Sequence, residues 1–160
     1  MHQISIPRLS AFLVEAKRRT YAGLDDDATV PTPIIAGSKQ LEYSDRELNY
    51  RDIYFGMAYF VGQEVVTANR RAIWSMSYAG GTSPDITECE KFLAIYAFLR
   101  KALLRISEDR PFRGPSQFED GEYRYVNRSE GEISEFHGAE QTYLRGTQVY
   151  ALHYSGGIVR

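Results

Sequence analysis

The chain predicts an α+β domain: a duplicated α-β-β-β unit whose curved antiparallel sheet of about six strands packs on a long central helix. Three observations carry this expectation. The phrase "IWSMSYAGG" at residues 73–81 returns as "VYALHYSGG" at residues 149–157. Runs rich in β-branched and aromatic residues precede both phrases and read as strands. Residues 88–106 are apolar around much of a helical projection, which predicts a helix buried on more than one side.

The repeat is gap-free. A shift of 76 positions brings Phe60 onto Phe136, Gly62 onto Gly138 and Glu64 onto Glu140. The same shift brings Trp74 onto Tyr150, Met76 onto Leu152 and Tyr78 onto Tyr154. Residues 8–81 form the first copy and residues 85–157 the second, within one domain spanning residues 1–160. A helix on three strands leaves apolar surface uncovered, so the two copies are expected to share one core. A chain of 160 residues can supply that core without disulfides or metals.

Each element has its own signal. Leu9, Phe12, Leu13 and Ala16 recur at helical spacing and predict a short amphipathic helix over 8–19, with a stop at Gly23. Lys17-Arg18-Arg19 reads as its solvated C-terminal end, where cations offset the helix dipole. Residues 23–40 mix acids, prolines and glycines without a period and read as a loop. "ELNYRDIYFG" (47–56) reads as a strand, and residues 57–78 as a hairpin turning near Asn69-Arg70.

Thr87 and Glu90 have the spacing of a capping box for the long helix, with Ser83 before Pro84 a competing start. Phe92, Leu93, Tyr96, Leu99, Leu103 and Ile106 then form its apolar stripe and make it the spine of the core. Residues 108–121 read as a linker, followed by three strands, the last two joined at Arg145-Gly146. The paired Y-x-G-G phrases read as strand ends, because glycine weakens further pairing. Alternation puts Trp74, Met76 and Tyr78 on one face with Tyr150, Leu152 and Tyr154; that face is expected to meet the helix. The opposite face carries small residues and is either solvated or the floor of a groove.

Composition excludes several functions. The net charge of −2 and pI near 5.9 give no basic field, so direct nucleic-acid binding is not expected. No apolar run reaches the length of a membrane span, and the N-terminus lacks the order of a signal peptide. With Cys89 the single cysteine, a cytoplasmic setting is expected.

With "FLVEAKRRTYAG", "YRDIYFGMAYFVGQEVV", "IWSMSYAGG" and "VYALHYSGGIVR", the chain resembles the DUF5680 family of uncharacterised bacterial proteins, over most of its length. The F-x-G-x-E and Y-x-G-G phrases are the most specific part of the likeness. Some relatives carry this domain behind a helix-turn-helix, which implies by analogy a sensing or partner-binding role. Met1 lies only a few residues before the first helix here, so regulator status is not expected to carry over. The family lends no catalytic residues.

For chemistry, Glu64 and Glu140 are the leading pair: pseudo-twofold packing would bring them together as an acid/base or metal-binding pair. The alternative is two exposed strand positions that blunt aggregation. His137 and His153 are expected on opposite faces of the last hairpin, and no spacing suggests a metal or a cofactor. Cys89 reads as a small core residue. The favoured function is a small-molecule or peptide binding or sensing module with an aromatic-lined cavity. Tyr54, Trp74, Tyr78, Tyr150 and Tyr154 would form its walls, with Glu64 and Glu140 as polar anchors. The alternative is a protein–protein interaction or homodimeric structural protein; third comes a small hydrolase or isomerase using the glutamate pair.

Overall fold

The computed structural model describes residues 4–22 and 29–160. Helix α1 (Ile6–Arg19) precedes four strands: β1 (Lys39–Asp45), β2 (Leu48–Gly56), β3 (Tyr59–Ala68) and β4 (Arg71–Thr82). Helix α2 (Cys89–Leu103) precedes four more: β5 (Gln117–Asp120), β6 (Tyr123–Glu132), β7 (Glu135–Leu144) and β8 (Thr147–Ile158). All eight strands form one antiparallel sheet in the order β1-β2-β3-β4-β8-β7-β6-β5.

This corrects the expected architecture. The sheet has eight strands rather than about six, it is open with β1 and β5 as its edges, and no long central helix supports it. The helices are short, 14 and 15 residues, and the fold is mainly β. The two unforeseen strands, β1 and β5, fall where acids and prolines mask strand character. α2 is not the spine of the core: it buries Ile95, Phe98, Leu99, Ala102 and Leu103, while Leu93 is 60% exposed. Among the described residues, no second layer covers its apolar far side.

Local chemistry explains the ends. Ser5 caps α1 by accepting a hydrogen bond from the Arg8 amide, and Pro7 sits in the first turn, where no amide partner is lost. The stop expected at Gly23, and the first part of the 23–40 loop, lie outside the described residues. The Thr87–Glu90 capping box does not form, because the helix starts at Cys89 and Glu88 holds the cap position without a side-chain bond. Cys89 is exposed rather than a core residue. The tight turns at Asn69-Arg70 and Arg145-Gly146 both have positive φ at their two central residues, the geometry that matches strand twist.

The halves meet edge to edge through β4 and β8, where Tyr78 pairs with Tyr154. Rows across the sheet are then related in reverse order. One row reads Asp52–Glu64–Met76–Gly156–Phe136; another reads Asn127–Glu140–Leu152–Gly80–Phe60. A twofold axis through the Tyr78–Tyr154 pair exchanges the two. The Y-x-G-G glycines do not release their strands: Gly80 and Gly156 sit within β4 and β8 and stay paired on both sides.

The F-x-G-x-E glycines have a steric reason. A Cβ on Gly62 would lie 2.4 Å from the Tyr78 hydroxyl oxygen, and one on Gly138 would lie 2.4 Å from Tyr154 Cζ. Each glycine lets a tyrosine ring from the neighbouring strand lie across its own strand and reach the next one.

Candidate functional site

The inner face of the sheet is covered by α1, α2 and the segment between α2 and β5. Every predicted site residue projects onto it. Trp74, Tyr150 and Tyr154 are buried, Tyr78 is buried, and Tyr54 is half-buried against Phe60. Trp74 stacks on Phe136 at 5.8 Å between ring centroids, as its counterpart Tyr150 stacks on Phe60 at 6.5 Å. These rings pack against one another. Two open surface depressions, of about 370 and 430 Å³, are lined by none of them. The first lies over Ser75, Ser77 and Ser155 on the small-residue face; the second lies between the start of α1 and the β6–β7 turn.

Glu64 and Glu140 are both fully buried, not exposed strand positions. They do not share a site. β4 and β8 stand between their strands, roughly 14 Å of sheet at the usual strand spacing. Each has its own cation. Lys17 Nζ lies 2.8 Å from Glu64 Oε2, and Arg113 donates to Glu140 Oε1 at 2.6 Å and Oε2 at 3.2 Å. Lys17 is thus no solvated helix end: it is fully buried, also donates to the Phe112 carbonyl, and lies 5.5 Å from the Trp74 ring centroid.

The two carboxylates differ in how completely they are bonded. Glu140 accepts from both Arg113 nitrogens, from the Tyr125 hydroxyl, and from the Tyr150 hydroxyl at 3.0 Å. The positions equivalent to Tyr125 and Tyr150 are Tyr50 and Trp74, which flank Val66 as the former flank Thr142. Neither completes the Glu64 shell. Among the described residues, Tyr50 Oη, Trp74 Nε1, Tyr21 Oη and Glu64 Oε1 are buried without a hydrogen-bond partner. Burial first, and the Glu64 charge second, push the Tyr21 and Tyr50 hydroxyls well above their ordinary range.

Asp52 stands directly opposite Glu64 in the β2–β3 register and accepts from the Tyr78 hydroxyl at 2.6 Å. Its counterpart Asn127 accepts from Tyr154 at 2.8 Å. Burial first, and the Glu64 charge second, push the Asp52 carboxyl up to about 7. Burial also lowers the Lys17 ammonium from its ordinary range, against the opposing pull of Glu64. Asp52 therefore holds its proton more tightly than an exposed carboxyl does.

His137 and His153 are exposed on the same outer face, because a register shift between Thr142 and Tyr143 changes the strand parity that a plain hairpin would have. Among the described residues, no group of three or more His, Cys, Asp or Glu side chains is placed to hold a metal ion. No described helix is long and apolar enough to cross a membrane.

Sequence reasoning missed Lys17, Tyr21, Tyr50, Asp52, Arg113, Tyr125 and Asn127. Five of these had a signal: Tyr50 and Asp52 alternate with Leu48 and Tyr54, and Lys17 continues the helical series Leu9, Leu13. Tyr125 and Asn127 likewise follow Tyr123 at strand period. Arg113 sits in a proline-flanked segment without periodicity and had none.

An open antiparallel sheet, two short helices on one face and a buried ion-pair network between them define the class: a small mainly-β domain with a polar interior. Residues 52–159 match a family described only as a domain of unknown function, and the chain belongs to that family, DUF5680. The matched span contains Asp52, Glu64, Arg113 and Glu140; Lys17, Tyr21 and Tyr50 precede it. No curated protein and no solved structure matches the chain.

Proposed function

We propose that the protein is a small-molecule binding module whose site is the polar shell around Glu64. One observation carries this reading. Glu140 has a complete set of hydrogen-bond donors, whereas the equivalent groups around Glu64 remain unpartnered inside the fold. Buried polar atoms in native proteins are almost always bonded to protein, water or ligand, and several unpartnered ones around one carboxylate indicate an occupant. The occupant meets a carboxylate oxygen, two phenol hydroxyls and an indole N–H, with aromatic faces on either side.

The reading assigns different work to the two halves. An ancestral unit was copied; the Glu140 carboxylate kept a full set of donors, although Thr142 Oγ1 in the same half is buried without a partner, and the Glu64 half serves as the site. Because the shell lies beneath α1, exchange of the occupant requires that helix to separate from the sheet, so association is slower than diffusional encounter.

Trp74 is the single tryptophan and belongs to the shell, so its fluorescence and its indole N–H resonance report on occupancy. Screening small polar metabolites by thermal shift, with Trp74 emission as the second readout, is expected to find compounds that move both. Glu64→Gln abolishes the response. Hits that leave Trp74 unmoved, or that survive Glu64→Gln, place the site elsewhere.

A further inference from the structure

The chemistry of the Glu64 shell also selects its occupant, an inference that rests on the binding reading above. Among the described residues, the buried charged groups are Lys17, Arg113, Asp52, Glu64 and Glu140. Arg113 is matched by Glu140 in a two-bond pair, and Lys17 by Glu64. Asp52 remains, a buried carboxyl without a cation of its own, directly opposite Glu64. An uncompensated carboxylate in a low-dielectric interior is costly, so it holds a proton or takes up a cation.

We propose that the shell binds an ammonium group, carried by free ammonium or a small primary amine, in exchange for the proton held by Asp52. The groups present suit that class. Glu64 Oε1 and the Tyr21 and Tyr50 oxygens offer acceptors, beside a Trp74 ring that already faces the Lys17 ammonium. The charge balance closes: one proton leaves to solvent, one monocation enters, and the interior stays neutral. An anion would face both carboxyls. A quaternary cation would lack N–H donors for the oxygens.

The groups facing Asp52 set the pH dependence. Lys17 and Tyr21 face it from α1 and its end, Tyr50 from its own strand, Glu64 from β3, Tyr78 from β4 and Arg113 from the segment before β5. The tyrosines are held well above neutrality by burial, and Arg113 stays charged. Asp52 is therefore the group that exchanges its proton near pH 7.

The test titrates methylammonium chloride into the full chain at about pH 6 and about pH 8.5, following Trp74 emission and the indole resonance, with tetramethylammonium and potassium chloride as controls. Methylammonium is expected to saturate, to bind about tenfold or more tightly at the higher pH, and in calorimetry across buffers to release close to one proton at about pH 6 and close to none at about pH 8.5. The controls are expected to be silent. Asp52→Asn is expected to lose both the binding and the proton release. The wild-type pH dependence needs no variant, so a poorly folding variant leaves the test intact. A silent methylammonium titration at pH 8.5, or binding of equal strength at both pH values, overturns the ammonium assignment. If a neutral or anionic compound then moves Trp74 and loses its effect in Glu64→Gln, the binding reading stands without it; silence in both arms removes both.

Discussion

Glu64 and Glu140 share a place in the register but not an environment, and substitution separates them. Glu140→Gln leaves Arg113 buried with a weakened partner and unsettles two tyrosine hydroxyls; breaking such a pair costs about 3–5 kcal/mol. Glu64→Gln costs less, because Asp52 stands next to it and ionises to serve Lys17. Urea unfolding of the two variants side by side reads this difference, and equal losses would contradict it. Asp52 makes the second residue-scale prediction. Its folded carboxyl titrates near 7 against an ordinary value of 3.8, so the folded state holds a proton that the unfolded chain gives up. The stability this supplies is complete below about pH 4 and is lost as the pH rises through 7. Relative to Asp52→Asn, the wild type therefore loses on the order of 3 kcal/mol between pH 4 and pH 8. A constant difference across that range would refute the placement of the proton. Neither Lys17 nor Asp52 was read as internal, although helical spacing and strand alternation both pointed inward. A charge at an inward position looks like a misplaced surface residue until its partner, on a distant strand, is known.

At the scale of elements, the glycines of the repeated phrase make the clearest claim. Gly62→Ala drives a methyl group into the Tyr78 ring, whose hydroxyl then loses Asp52; a loss of about 2 kcal/mol or more is expected. In a Tyr78→Ala background most of that cost disappears, and a double-mutant cycle measures it. Additive effects would mean that the ring and the glycine are independent. α2 offers a second test. Phe98 stacks on Phe118 and Tyr123, so Phe98→Ala is expected to cost about 3–5 kcal/mol, whereas Leu93→Ser, on the exposed side, is expected to be near neutral. The apolar run of 88–106 was legible as a helix, but its broad stripe suggested burial all round. The stripe shows which residues are apolar; only the tertiary arrangement shows how much of it finds a partner. Hairpins with Asn69-Arg70 and Arg145-Gly146 turns were legible because turn chemistry is local. β1 and β5 were not: they are edge strands, short or polar, held by a neighbour rather than by their own pattern.

For the whole molecule, the offset of the two phrases foretold a register rather than a shape. In the β3–β4 and β7–β8 hairpins it matched residues that occupy like register positions, and it left the number of strands and the openness of the sheet undetermined. The candidate site was half legible: all seven predicted residues share the inner face, yet they pack as a core, and the ion pairs that organise them come from α1 and the segment before β5. Those pairings join elements far apart in the chain, which periodicity cannot see. The central claim is that the Glu64 half of this interior holds an occupant and the Glu140 half does not. A high-resolution crystal structure of the protein purified without added ligand tests it most directly. Density is expected to bridge Glu64 Oε1 to Tyr50 Oη and Trp74 Nε1, with none between Glu140 and its donors. Protein groups turned to bond those same atoms directly, leaving the two halves equally closed, would contradict it.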